Sequence, residues 1–197
     1  MNLAARFLFI ILGLSLFSCQ KGEDDPKFTL LTRTNRLAGE WMVTSYSFVT
    51  SDSSATLNGD SLVTTDADSL TSAKAFEWKF TFDKSGAYVS EITELNGPDA
   101  TLDKLITTIS GDWEFAGANN QKSKSQLVLI ESEFKQSSGV EGSNIAVFTT
   151  SGNTTAHIYH IKELRDNKIV LTQNEVVSDP FSSFTTEVNL VLEPIAD

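Results

Sequence analysis

The chain holds two histidines, His157 and His160, one cysteine, Cys19, and 26 acidic residues, and any catalytic or metal chemistry would have to be built from these. The histidines lie three apart in an alternating, strand-like stretch. Successive strand side chains point to opposite faces, so the two imidazoles are expected on opposite faces, unable to share a metal or a proton. Asp66-Ala67-Asp68 lacks the spaced oxygens, turn glycine and distal Glu of a calcium loop. Paired acids exist, such as Glu131 and Glu133, but among so many acids a glycosidase-type pair cannot be told from solvated charge. No Gly-x-Ser-x-Gly, phosphate-binding glycine loop or paired-cysteine motif occurs. The expectation is a protein that is not an enzyme, with no catalytic residue, no metal site and no cofactor.

Cys19 calls for a different explanation, because a lone cysteine forms no intramolecular disulfide. It follows Arg6, an almost unbroken apolar run from Phe7 to Phe17, and Leu16-Phe17-Ser18. The run is shorter than the roughly 20 residues that span a bilayer and reads as a signal peptide over residues 1–18. Leu at minus three and Ser at minus one before the cysteine resemble the lipobox of bacterial lipoproteins. That resemblance implies lipidation of Cys19, with two or more acyl chains attaching the protein stably to a membrane. Gln20-Lys21-Gly22-Glu23-Asp24-Asp25-Pro26 then reads as an acidic tether within residues 19–34. It resembles the export signal of surface-exposed lipoproteins of Bacteroidota. The resemblance implies an outer-membrane location, facing the periplasm or the cell surface.

The formal net charge is −11, and losing residues 1–18 removes Arg6 and no acid, which brings it to about −12. Such a surface disfavours nucleic acid and anionic lipid. Residues 35–197 suffice for one domain with its own core. No long helical period appears in them. A turn or two of helix is expected across Thr32 to Ala38 only.

Strand signals fill the rest. Phe76, Trp78, Phe80 and Phe82 alternate with Glu77, Lys79, Thr81 and Asp83, giving one aromatic face that must point inward. Asp83-Lys84-Ser85-Gly86-Ala87 has the form of a type I turn closed by a glycine bulge. Pairing Asp83 with Ala87 sets Phe82 opposite Tyr88, Phe80 opposite Ser90, Trp78 opposite Ile92 and Phe76 opposite Glu94, all inside, with Glu94 near a rim. Eight strands are expected, near 40–50, 76–83, 87–95, 111–116, 126–133, 156–164, 168–177 and 184–193. Residues 101–109 fit either strand or short helix. Between Thr50 and Ala75, 15 of 26 residues are Ser, Thr or Asp, so this segment reads as a long loop or lid, with a small hairpin around Asn58-Gly59. Asp60-Ser61-Leu62 and Asp68-Ser69-Leu70 in it resemble the short O-glycosylation acceptor of Bacteroidota.

Gly39-Glu40-Trp41 opens the first strand, and Gly111-Asp112-Trp113 echoes it. A glycine permits a tight turn into the strand, and a tryptophan two residues on falls on the same face, where it can plug a barrel end. Near the start of an all-β domain, Gly-x-Trp resembles the opening of lipocalin-like barrels. Tyr159-x-Ile161-x-x-Leu164 with Ile169-Val170-Leu171 resembles the late strands of the lipocalin-like domain in Bacteroidota lipoproteins. The resemblance implies an antiparallel up-and-down barrel, with a β-sandwich as the alternative. The other lipocalin motifs are absent, as is a C-terminal helix with an arginine to cap Trp41. Gly39, Trp41, Gly111 and Trp113 are then structural residues of the barrel ends.

Two functions follow. In the first, the barrel binds or carries a small ligand, hydrophobic or not, on the inner face near Tyr46, Trp78, Phe80 and Tyr88. Tyr46 sits on the opposite parity from Trp41 and is the weakest member. In the second, a filled barrel displays its loops to an envelope protein or glycan, with no small-molecule ligand.

Overall fold

The computed structural model describes residues 31–66, 71–95, 104–117, 124–140, 143–178 and 183–195. Cys19, the signal peptide, most of the acidic tether and Asp68-Ser69-Leu70 lie outside these residues. A single helical turn, α1 (Arg33–Leu37), precedes ten strands: β1 (Gly39–Val49), β2 (Ser53–Asn58), β3 (Ser61–Asp66), β4 (Thr71–Phe82), β5 (Ala87–Leu95), β6 (Lys104–Ala116), β7 (Gln126–Val140), β8 (Ser143–Leu164), β9 (Ile169–Ser178) and β10 (Ser183–Pro194). They form a closed antiparallel barrel, β1-β10-β9-β8-β7-β6-β5-β4-β3-β2, which excludes the sandwich.

The expected count of eight is corrected to ten, and the reason is a fork in the wall. Gly39–Met42 of β1 pairs directly with Lys79–Phe82 of β4, whereas Ser45–Val49 pairs with β2. The β2–β3 hairpin is wedged between them, its turn at the fork, where the Phe76 amide donates to the Asp60 carbonyl at 2.7 Å. The 50–75 segment is therefore barrel wall rather than a loop or lid. It carries little apolar signal because one inward residue on each strand, Leu57 and Leu62, is buried and most others are half-exposed or exposed polar groups. With β2 and β3 left out, eight strands ring one end; all ten surround the other.

At the narrow end the core is solid. Leu127, Leu164, Ile169, Leu190 and Leu192 are almost completely buried with Trp41, Phe80 and Phe82. Thr32 caps α1 through its side-chain oxygen, which accepts from the Asn35 amide. The helix closes this end: Trp41 Nε1 donates to the Leu37 carbonyl at 2.8 Å, Arg36 donates to the Leu164 carbonyl, and the Arg33 guanidinium lies 5.4 Å from the centre of the Phe115 ring. Both arginines are buried, so the cations at this end come from the N-terminal helix rather than a C-terminal one. Trp113 does for the β4–β5 turn what Trp41 does for α1, its Nε1 donating to the Asp83 carbonyl at 3.0 Å.

The β4–β5 register matches the expectation at all four inward pairs, and Gly86 closes the turn at φ +102°. Elsewhere strands run longer than expected. Residues 104–110, which fitted helix or strand, are continuous with the second Gly-x-Trp in β6. Between the strands expected near 126–133 and 156–164, β7 runs on to Val140 and β8 begins at Ser143, so residues 145–150 join Ala156–Leu164 in one strand. Tyr46 is inward after all. A register shift between Val43 and Ser45 leaves Thr44 without a partner on β10, and that bulge reverses the parity.

Candidate functional site

Inward side chains at the wide end are half-buried, whereas at the narrow end most are buried and Phe115, under Arg33, is the half-buried one. Tyr46, Ala55, Trp78, Ile92, Ile109 and Val188 rest on the core while keeping part of their surface exposed. Trp78 is thus not the fully buried ring that strand parity alone would suggest. Rings climb the inner wall in contact: Tyr46 to Trp78 at 5.5 Å between centroids, Trp78 to Phe80 at 5.3 Å, Phe80 to Phe82 at 5.6 Å and Phe82 to Tyr88 at 6.4 Å. The four candidate ligand residues, Tyr46, Trp78, Phe80 and Tyr88, therefore belong to one aromatic row. Phe80 and Tyr88 are buried within it, and Tyr46 and Trp78 form its accessible part.

Polar pairs interrupt this wall. Trp78 Nε1 donates to Ser90 Oγ at 2.7 Å, Lys74 Nζ pairs with Glu94 Oε2 at 2.5 Å, and Gln136 Nε2 donates to Thr107 Oγ1 at 3.2 Å. By register Lys74 stands opposite buried Leu62, and Glu94 opposite buried Phe76, so this ion pair is on the inner face. Glu131 falls in line with inward Leu127 and Leu129, four and two residues before it. Its Oε1 accepts from His157 Nε2 at 2.9 Å. A recess of about 210 Å³ is lined by Glu131, Glu133, Phe134, Thr150 and Thr155. It adjoins, at Thr155, a cleft of about 370 Å³ between β8 and β9.

These polar members were not singled out as a site from the sequence. Parity with Leu127 and Leu129 was the available signal for Glu131, and it was lost among the surface acids. His157 and His160 do face opposite sides, yet both line the β8–β9 cleft because the wall is open there. Among the described residues no group of three or more His, Cys, Asp or Glu could hold a metal. Gly39, Trp41 and Trp113 lie at the narrow end, whereas Gly111 stands opposite Glu131 on β7, against the recess.

All three tyrosines of the chain, Tyr46, Tyr88 and Tyr159, have phenols pushed above their ordinary value, mainly by burial, with the Glu131 carboxylate adding to the effect on Tyr88 and Tyr159. Tyr159 reaches about 12, from 10.0. A raised native pKa means that the stabilisation from keeping this phenol neutral is complete below pH 10 and is lost as pH rises towards 12. For two pKa units this is about 3 kcal/mol. An alkaline titration should show no phenolate absorbance step at the free-tyrosine value and one cooperative step above it, coincident with loss of sheet signal. Independent ionisation of all three at the ordinary value would contradict the buried placement.

No protein-family model matches the chain, and no curated protein matches it.

Proposed function

We propose that the chain is a lipid-anchored envelope protein with a lipocalin-like barrel whose wide end binds one small amphiphilic molecule. The observation that carries this reading is the recess of about 210 Å³ at the β7–β8 bulge, lined by inward-facing Glu131, with the half-exposed Tyr46–Trp78 rings on the same inner face as Glu131. Apolar walls with a few convergent polar groups are the usual composition of ligand sites. Inward-facing Glu131 favours a ligand bearing a hydrogen-bond donor or a positive charge, in place of the purely hydrophobic cargo that the aromatic row alone suggests, while Glu133, beyond the bulge at Ser132, pairs with Lys135. The closed barrel, the two Gly-x-Trp sites and the plugged narrow end support the lipocalin-like assignment.

Trp78 provides the test. Of the three tryptophans, Trp41 and Trp113 are buried, so a ligand entering from the wide end should perturb Trp78 alone. Titrating small amines, amphiphilic metabolites, lipids and haem should yield a compound that shifts the emission. Trp78→Phe should remove the signal, and Glu131→Gln should weaken binding roughly tenfold, about the worth of one charge-assisted hydrogen bond. If no compound moves the spectrum, the second reading gains: a filled barrel that presents its wall to an envelope protein or glycan.

Anchoring is tested separately. Cys19→Ser should abolish metabolic lipid labelling and move the protein from the membrane fraction to the soluble fraction. Continued membrane association of that variant would overturn the lipoprotein reading.

A further inference from the structure

β8 and β9 are paired only from His160↔Thr172 to Leu164↔Ile169, although β8 extends back to Ser143 and β9 on to Ser178. On their other sides these stretches are fully engaged, Thr155–His160 with β7 and Thr172–Ser178 with β10. The wall therefore opens as a wedge above His160 and Thr172, and the cleft of about 370 Å³ fills it.

Main-chain direction follows from one hydrogen bond. The Ile161 amide donates to the Ser125 carbonyl at 2.9 Å, so Ile161 turns its main-chain groups towards β7. In an antiparallel ladder this alternates along the strand, so Tyr159 and His157 also turn to β7, whereas His160, Ile158 and Ala156 turn to β9. His160 meets Thr172 there. Ala156 and Ile158 meet no strand among the described residues, and by the same alternation neither does Asn174 on the facing edge. Ala156, Ile158 and Asn174 all line the cleft.

We propose that this wedge is a binding site for an extended peptide segment, which adds to the free edge of β8 as an extra strand. Unsatisfied strand edges present a ladder of N–H and C=O groups whose complement is another main chain. Among the described residues, the side chains lining the cleft carry no carboxylate, ammonium or guanidinium, which makes the main chain the feature for a partner to read. The free edge from Thr155 to Tyr159 is roughly 17 Å long at about 3.3 Å per residue, which accommodates a strand of about five or six residues. Ile158, 47% exposed, offers the apolar contact beside it.

The test uses a pooled library of capped hexapeptides with alternating β-branched and randomised positions, selected on the full domain. Enriched peptides are expected to bind at least tenfold better than versions N-methylated at alternate residues. Ile158→Pro removes an amide that points into the cleft and not to β7, so it should leave the sheet signal intact, as proline does on edge strands, and abolish binding. Tyr159→Pro, whose amide serves the β7 ladder, should instead unfold the wall. Asn174→Lys, on the facing edge, gives a second variant that keeps the β8 main chain whole and should weaken binding at least threefold by crowding the wedge. No enrichment, equal binding of N-methylated peptides, or full binding by folded Ile158→Pro would each overturn the proposal. So would edge-to-edge dimerisation of the protein at the library concentration, which would assign the wedge to a second copy.

Discussion

Trp41→Ala is expected to destabilise the barrel by about 3–5 kcal/mol in chemical denaturation, the range for removing a fully buried aromatic side chain. Trp41 is 2% exposed, pairs across β1 and β4 with Phe80, and is the ring whose Nε1 holds the Leu37 carbonyl. Its loss opens a cavity at the narrow end and frees α1 together. Trp41→Phe separates the two effects: it retains most of the packing and gives up the hydrogen bond, for about 1 kcal/mol plus the smaller ring's lost contacts. Trp78→Ala should cost clearly less than Trp41→Ala, since Trp78 is only half-buried and its environment relaxes into the open end. Equal costs for the two alanine variants would mean that the wide end is packed as tightly as the narrow one.

Gly111→Ala should be the most damaging addition of a single methyl group. A Cβ there would overlap the Ile130 carbonyl oxygen and lie 3.1 Å from Glu131 Cα, both backbone atoms that cannot rotate away. The close approach comes from the β6–β7 bulge, where the register shifts between Ser110 and Gly111. Forcing the strands apart at this point is expected to cost about 3 kcal/mol, the upper part of the overpacking range. It should also displace Glu131, the register partner of Gly111, and so weaken any ligand held in the recess. Denaturation midpoints within experimental error of the parent would contradict the tight crossing.

Local periodicity made the β4–β5 hairpin readable to the residue, because four aromatic residues alternate with polar ones and the turn chemistry fixes the register. The wedge hairpin was unreadable for the opposite reason. β2 and β3 bury only Leu57 and Leu62, so no apolar face announces them, and their place in the wall depends on β1 and β4 separating at Met42. Tyr46 shows a further limit: Thr44 looks like any strand threonine, yet the bulge at it reverses every later parity on β1. Glu131 stands two residues beyond Leu129 on the inner face, and the pattern that places it there says nothing of its partner, since the His157 contact needs β8 in register with β7. The opening between β8 and β9 has no sequence signature, because both strands continue past the point where their pairing ends.

The account turns on a closed narrow end and a ligand-accepting wide end, and the indole N–H resonances of Trp41, Trp78 and Trp113 report on both. Nitrogen-15-labelled domain, titrated with the compound that most shifts the fluorescence, should show the Trp78 indole signal moving to saturation while those of Trp41 and Trp113 stay in place. Movement of the Trp41 and Trp113 signals with Trp78 unchanged, or three stationary signals with every compound tested, would contradict it.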